Sequence, residues 1–171
     1  MNSTKRVIYK RGQLNIRTIE HLSLRIDVSE SDLARFATTG RNLYRSPKFE
    51  KKKSGGVREI NRPKFGLKQV QKKINRLLQE VKIPGTFYGS VRGRDYIGNA
   101  SQHVGQYCVA RFDIKDFFPS VHFRRVFQFF LDLGCTPKIS ALLADLTTYG
   151  LCLPQGAPTS PTIALLVYSE F

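Results

Sequence analysis

The sequence predicts a mixed α+β protein. Apolar residues recur at helical spacing in six stretches, two extended stretches flank the turn Ser54-Gly55-Gly56, and residues 109–114 have the pattern of a buried strand. The chain has 171 residues, of which 41% are hydrophobic, so it suits about one domain with a packed core. With 13 Gly and 8 Pro, the composition excludes a low-complexity chain.

Two short helices are predicted near the N-terminus. A helix over about residues 15–25 is indicated by three apolar residues at helical spacing, Ile16, Ile19 and Leu22. Ser29, followed three residues later by Asp32, resembles a capping box. A second helix is therefore expected from Ser29 to a stop near Gly40.

A hairpin and a longer helix follow. Residues 43–50 and 57–61 predict two strands, because the glycines between them supply the positive backbone angles of a tight turn. Pro63 ends this hairpin. The next helix ends at Pro84-Gly85, and its apolar stripe comprises Leu67, Val70, Ile74, Leu77, Leu78 and Val81.

The C-terminal part predicts one strand and three helices. Residues 109–114 read as a buried strand that carries Asp113 near its end. A helix from Phe123 to Leu131 stops at Gly134. The dipeptides Thr136-Pro137 and Ser160-Pro161 begin the last two, since proline is favoured at the first helical position.

The positive charge is concentrated in the first half of the chain. The formal net charge is +15, and residues 1–76 hold twenty Lys and Arg against six Asp and Glu, whereas residues 77–171 hold eight against seven. Such a block attracts polyanions, because neutralising phosphates releases their counterions. Nucleic acid or nucleotide contact is therefore favoured over a merely solvated basic face. A basic membrane-surface helix is disfavoured because turn formers interrupt the basic residues.

The cellular compartment of the protein is predicted from three further features of the sequence. No apolar run approaches the ~18 residues that span a bilayer, and no secretory signal opens the chain. The three cysteines, Cys108, Cys135 and Cys152, are an odd number without Cys-x-x-Cys spacing. A soluble cytoplasmic protein without a membrane partner is expected.

Three stretches carry candidate chemistry. A carboxylate at the end of a strand, here Asp113, is well placed to hold a hard cation such as Mg²⁺, although an arbitrary aspartate is more often a surface residue. Residues 153–161 contain three prolines and Gly156, which predicts a rigid loop that a ligand can approach closely, or a plain connection between helices. The predicted hairpin tip contains Lys51, Lys52 and Lys53 and is followed by Arg58. These cations could bind a polyphosphate, or they could be the solvated side chains of an exposed turn.

In this order the three stretches resemble the reverse transcriptases. Residues 113–120, Asp-Ile-Lys-Asp-Phe-Phe-Pro-Ser, resemble the family's motif A, and residues 153–161 resemble its motif B. Its fingers region is similar to the stretch with Tyr44, Lys51 to Lys53, Gly56, Arg58, Ile60, Pro63, Leu67, Lys68 and Gln71. Residues 99–103, Asn-Ala-Ser-Gln-His, fit an element of bacterial retron reverse transcriptases.

The resemblance implies the fold and the site. The fold would be the fingers and the first part of the palm of a right-hand polymerase, with a ferredoxin-like antiparallel sheet. Residues 1–40 would form an N-terminal helical extension, 41–105 the fingers and 106–171 the partial palm. Asp113 would bind Mg²⁺ with the carbonyl of Ile114, and Phe118 would lie beneath the sugar.

The resemblance also implies contacts to nucleotide and RNA. Gln155 and Gly156 would contact the incoming nucleotide, and Arg58, with a lysine among Lys51, Lys52 and Lys53, would hold the triphosphate. RNA contacts would come from Asn99, His103, Lys68 and Lys72. A structural role for His103 stays an alternative.

One family motif has no counterpart in this sequence. The family carries a Tyr-x-Asp-Asp hairpin and a thumb downstream, whereas this chain has no Asp-Asp pair. Two-metal phosphoryl transfer requires carboxylates from more than one strand, so the chain is expected to be incomplete on its own. Apolar surface on Phe112, Ile163, Leu165 and Leu166 would then be exposed.

The leading hypothesis is a retron-type reverse transcriptase. Such an enzyme would synthesise DNA on a structured non-coding RNA from deoxynucleoside triphosphates (dNTPs) and Mg²⁺, in defence against phage and with a possible effector protein. The alternatives are a non-catalytic RNA-binding fragment or subunit that needs a C-terminal polymerase portion in trans, and a reverse transcriptase of group II intron type.

Overall fold

The computed structural model describes residues 12–50, 57–82, 85–89, 91 and 93–168. The helices are α1 (Ile19–Ile26), α2 (Glu30–Thr39), α3 (Phe65–Leu78), α4 (Tyr96–Ser101), α5 (Phe123–Asp132), α6 (Pro137–Thr147) and α7 (Ser160–Tyr168), with a 3₁₀ turn over Gly40–Leu43. The strands are β1 (Tyr44–Arg45), β2 (Lys48–Glu50), β3 (Val57–Glu59) and β4 (Arg62–Pro63). The class is mixed, as predicted, and helices dominate it.

The caps of the first two helices explain where each helix begins. The Thr18 side chain accepts a hydrogen bond from the His21 N–H at 3.1 Å, so α1 begins at Ile19 rather than near residue 15. Ile16 precedes the helix and is nevertheless fully buried. At α2, Ser29 Oγ accepts from the Asp32 N–H at 3.2 Å, which confirms the predicted cap.

The hairpin is one antiparallel ladder in two parts. β1 pairs with β4 and β2 with β3, in a single register that runs from Tyr44 opposite Pro63 to Glu50 opposite Val57. The gap lies at Pro47, which has no N–H to donate, although its carbonyl accepts from the Ile60 N–H at 3.2 Å. Pro63 ends the ladder, as predicted. The predicted turn over residues 54–56 lies outside the described residues.

The predicted strand over residues 109–114 is wrong. Residues 106–114 adopt neither helix nor strand, and every one of them is exposed. A strand is stable only when its backbone groups are paired, and no described residue pairs with this segment. The segment contains apolar residues such as Val109 and Phe112. Apolar residues alone do not form a strand when the backbone has no pairing partner.

The core lies between the helices. α5 packs against α6, α6 against α2 and α3, and α1 against α3. Phe129, Phe130 and Leu143 are at most 2% exposed at its centre. α7 packs against α3 and α5, which buries Ile163 and Leu166 completely, so the expected exposure of these two residues is wrong. Phe112 is exposed, as expected.

The N-terminal segment docks on the turn between α5 and α6. The N–H groups of Gly12 and Leu14 donate to the carbonyls of Asp132 and Leu133 at 2.9 and 3.0 Å. Gly134 has φ +87°, and a Cβ there would lie 2.9 Å from the Gly12 Cα. Only glycine fits this contact, and the close approach joins the first and last thirds of the chain. None of the helices among the described residues has the length and apolar character needed to cross a membrane.

Candidate nucleotide site

The first component of the site is the turn that follows residue 114. Asp116 adopts a left-handed conformation with φ 50°, and its carbonyl accepts from the Ser120 N–H at 2.9 Å. The turn presents two aromatic rings, Phe117 and Phe118, whose centroids are 5.3 Å apart. Phe117 also stacks on Tyr168 of α7 at 5.3 Å. The backbone that leaves Asp113 is therefore fixed against the last helix.

A short backbone bridge joins this turn to the second component, the loop over residues 153–161. The Phe123 N–H donates to the Leu151 carbonyl at 2.8 Å, and the Leu153 N–H donates to the Val121 carbonyl at 3.0 Å. Val121 and Leu153 are fully buried. The two stretches that resemble motifs A and B are thus neighbours in space, and the bond between Leu153 and Val121 joins two buried residues.

The proline-rich loop is rigid and closely packed. Ser160 Oγ donates to the Pro154 carbonyl at 2.7 Å, which closes the loop on itself. Pro154, Ala157 and Thr159 are buried, whereas Gln155 is half-buried. The hydroxyl of Thr159 is buried without a hydrogen-bond partner among the described residues.

Gly156 brings the loop against the base of the hairpin. Its φ is +116°, and a Cβ at this position would lie 2.7 Å from Ile60 Cγ2 and 3.3 Å from the Asn61 carbonyl oxygen. Arg62 Cγ would lie 3.7 Å away. The loop therefore touches the segment between β3 and β4, in the hairpin whose paired strands β2 and β3 flank the predicted triphosphate-binding tip.

The same region contains a cavity of about 570 Å³. Three stretches of the chain line it with Phe87, Gly89, Ile114, Phe117, Phe118, Pro161, Leu165 and Tyr168. The lining side chains are apolar or aromatic. Ile114 and Phe118, both predicted as site residues, thus line one cavity together with the helix that follows the proline-rich loop. Asp113, which is exposed, directly precedes Ile114 in the chain.

The oxygen ligands around Asp113 are of the type that Mg²⁺ prefers, but they are too few for a two-metal site. A carboxylate at Asp113 and the carbonyl of Ile114 are oxygen donors of the type that Mg²⁺ prefers. Within the described part of the chain, no three His, Cys, Asp or Glu side chains come together. One carboxylate does not form a two-metal site, so further donors would be required.

Arg58 lies in β3 opposite Phe49, and Lys51, Lys52 and Lys53 lie outside the described residues. Lys68 and Lys72 are exposed on α3.

The retron-like element over residues 99–103 begins in the short helix α4, which the sequence patterns did not indicate, and continues into the turn after it. Asp95 caps α4 by accepting from the Gly98 N–H at 2.7 Å. Asn99 and His103 are exposed.

A buried hydrogen-bond network behind the hairpin was not assigned from the sequence. Gln71 is fully buried, and its Nε2 donates to the Tyr44 hydroxyl at 2.8 Å and to the Leu146 carbonyl at 2.9 Å. Tyr44 also lies 4.6 Å from Tyr149, between ring centroids. Burial raises the pKa of Tyr44 to about 12, so its hydroxyl stays protonated. A polar residue inside the apolar stripe of α3 is the signal that could have indicated this network.

Comparison with known proteins relates the chain to one family. Residues 50–171 match the family model described as reverse transcriptase (RNA-dependent DNA polymerase). The retron Se72 reverse transcriptase of Salmonella heidelberg is 32% identical over 155 residues, which cover 90% of this chain and 41% of that protein.

Two further relatives agree. The retron Mx65 reverse transcriptase of Myxococcus xanthus is 37% identical over 131 residues, covering 66% of this chain and 31% of that protein. The retron Ec86 reverse transcriptase of Escherichia coli is 34% identical over 115 residues, covering 67% and 36%. The chain thus spans well under half the length of these relatives.

Proposed function

Because the chain belongs to the reverse transcriptase family, we propose that it forms the fingers and the first part of the palm of a retron-type RNA-directed DNA polymerase. The product would be DNA copied from a structured non-coding RNA, with dNTPs as substrates. The observation that carries the proposal is the contact of Gly156 with Ile60 and Arg62 beside the cavity of Ile114 and Phe118. It brings the hairpin base, the turn after Asp113 and the proline-rich loop to one place.

The proposed roles follow the chemistry of each residue. Asp113 and the Ile114 carbonyl would hold Mg²⁺, with further carboxylates from outside the described residues. Phe118 would lie beneath the sugar ring, where a bulky side chain disfavours a 2′-hydroxyl. Gln155 and Gly156 would contact the incoming nucleotide.

The triphosphate would be held from the hairpin. Arg58 can form two parallel hydrogen bonds to phosphate oxygens, and a lysine among Lys51, Lys52 and Lys53 would add a point charge. Asn99 and His103 would lie on the surface that engages the structured RNA. An effector protein and a role in phage defence belong to this proposal as partners of the whole system.

The contribution of the chain to the reaction would be positioning. When bound, Mg²⁺ would neutralise the triphosphate and activate the attacking hydroxyl as a Lewis acid. The proline-rich loop is fixed by Ser160 Oγ on the Pro154 carbonyl, so it would receive the nucleotide without first ordering itself. Cations on the hairpin would balance the charge of the leaving pyrophosphate.

Primer extension tests the proposal. The chain is assayed with labelled dNTPs on a primed RNA template, alone and with a C-terminal polymerase portion added in trans. Asp113→Asn is expected to abolish synthesis while RNA affinity is unchanged, because only the metal-binding charge is lost. Asp145→Asn, at an exposed aspartate of α6, is the matched control and should retain synthesis. Synthesis by Asp113→Asn would remove this residue from the site.

A second candidate function is a non-catalytic RNA-binding subunit. It is favoured by one observation, that no three potential metal ligands meet within the described residues. RNA binding without synthesis in every combination would support this candidate over the polymerase.

A further inference from the structure

The exposed face of α3 carries a row of cations. Lys64, Lys68, Lys72 and Arg76 follow each other at intervals of four residues, and all four are exposed. Residues four apart are neighbours on a helix surface, so these side chains form one continuous ridge. With a rise of 1.5 Å per residue, the ridge is about 18 Å long.

The four cations lack the carboxylate partners that other cations of this region have. Lys73, on the same helix, donates to Asp27 Oδ2 at 2.8 Å, and Arg25 pairs with Glu80 at 2.6 Å. Among the described residues, none of the four ridge side chains has an ion pair or a hydrogen bond. Like charges four residues apart destabilise a helix, so the row opposes the stability of the helix that carries it.

The ridge begins at the candidate site. Lys64 directly follows β4, and Arg62 in that strand lies next to Gly156 of the proline-rich loop. The opposite face of α3 is fixed in the core by Leu67, Ile74 and Leu78. The row of charges therefore leads outward from the predicted nucleotide-binding loop on a rigid support.

We propose that Lys64, Lys68, Lys72 and Arg76 form a track for the sugar-phosphate backbone of the RNA, which rests on the proposed function. The length of the ridge equals about five nucleotides of one strand at ~3.4 Å each. An exposed row of unpaired cations contacts phosphates independently of base sequence. Lys64 and Arg76 thereby join Lys68 and Lys72 in the RNA contact, and the strand would run from the candidate site along α3.

The salt dependence of RNA binding tests the track. The affinity of the intact chain is measured for fluorescein-labelled oligouridine of roughly 20 nucleotides, and separately for an RNA duplex of similar length, at salt concentrations from about 50 to about 300 mM. Each neutralised phosphate contributes about 0.7 to the slope of log K against log salt for a single strand and about 0.9 for a duplex. Changing all four cations to Gln is expected to reduce the slope by about 3, equally for any base sequence.

A matched variant separates the track from net charge. Arg17, Lys82, Arg124 and Lys138 are exposed cations outside the ridge. Changing these four to Gln removes the same charge and should leave most of the slope in place. Equal losses in the two variants would overturn the track and leave only a general charge effect. An unchanged slope in the ridge variant would also overturn it.

Folding and polymerisation are kept apart from this test. The ridge variant is checked by circular dichroism, and changing the three lysines to Arg, which keeps the charge, should retain the full slope. Lys72→Gln alone should reduce the slope by about 0.7 for a single strand. The salt dependence measures RNA binding and primer extension measures synthesis. A result that overturns the track would therefore leave the test of Asp113 unaffected, and an absence of synthesis would leave the test of the track unaffected.

Discussion

Gly156 and Ile60 are in direct contact: a Cβ on Gly156 would lie only 2.7 Å from Ile60 Cγ2. The contact joins the proline-rich loop to the segment between β3 and β4. It is possible because residue 156 has no side chain and has φ +116°. The position of the hairpin base relative to the loop therefore depends on one glycine.

Gly156→Ala should destabilise the protein. The substitution imposes a strained backbone and a clash, with a cost of about 1–3 kcal/mol. For a chain of this size the melting temperature should fall by roughly 2–10 °C. Thermal unfolding followed by circular dichroism measures the change. Ile60→Ala added to Gly156→Ala should recover part of the loss in melting temperature, because it removes the nearest methyl group. An equal melting temperature in Gly156→Ala and the parent chain would contradict this geometry.

Gln71→Leu should destabilise the protein through the hairpin and α6. The change leaves the buried Leu146 carbonyl and the Tyr44 hydroxyl without their donor, at a cost of about 1–3 kcal/mol. Chemical denaturation gives the free energy of unfolding. Gln69→Leu, two residues away and half-buried, is the control and should change it by less than about 0.5 kcal/mol. Similar effects of the two variants would show that the network is not stabilising.

Stability should fall at alkaline pH through Cys135. Burial raises the pKa of this thiol from 9.0 to about 11. Above pH 9 the unfolded chain loses this proton while the folded chain keeps it. The contribution of the thiol to the free energy of unfolding is therefore complete below pH 9 and is lost as the pH rises through 11. Melting temperatures at pH 8 and pH 10.5 should therefore differ less in Cys135→Ala than in the parent chain.

The control for the alkaline experiment is a second cysteine. Cys108 is exposed, and Cys108→Ala should reproduce the pH profile of the parent chain. A profile unaltered by Cys135→Ala would mean that this thiol does not contribute. Tyr44→Phe is expected to remove a similar loss between pH 10 and about 12, since burial raises the pKa of this hydroxyl as well.

The exposed segment over residues 104–114 should cause self-association. Val104, Val109 and Phe112 are 79%, 57% and 91% exposed, within one irregular stretch. Burying such side chains between two copies is favourable by about 1.5–3 kcal/mol each, so Phe112→Ser should weaken association by about tenfold or more. Sedimentation velocity over a concentration series measures it. Leu24→Ser, at an exposed leucine of α1, should have little effect, and a parent chain that stays monomeric at every concentration would refute the prediction.

Local sequence patterns predicted most of the elements. The cap at Ser29, the helix start at Pro137 and most of the apolar stripe of α3 depend on neighbours within a few residues, and the structure confirms them. α3 ends at Leu78, before Val81, earlier than predicted. The hairpin that ends at Pro63 is confirmed by its register. The resemblance to the retron reverse transcriptases also came from short ordered motifs, and the comparisons confirm it. Such signals are readable from the sequence because each is set by residues close together in the chain.

Tertiary structure decided the features that depend on distant partners. Residues 109–114 have the composition of a strand but lack a pairing partner among the described residues, so they stay irregular. Gln71 has a polar side chain that only a buried carbonyl and a hydroxyl from two other elements make stable in the core. The sequence determined which residues are apolar, charged or conformationally free, whereas long-range packing determined which of them meet, because hydrogen bonds and burial require partners that the local sequence does not specify.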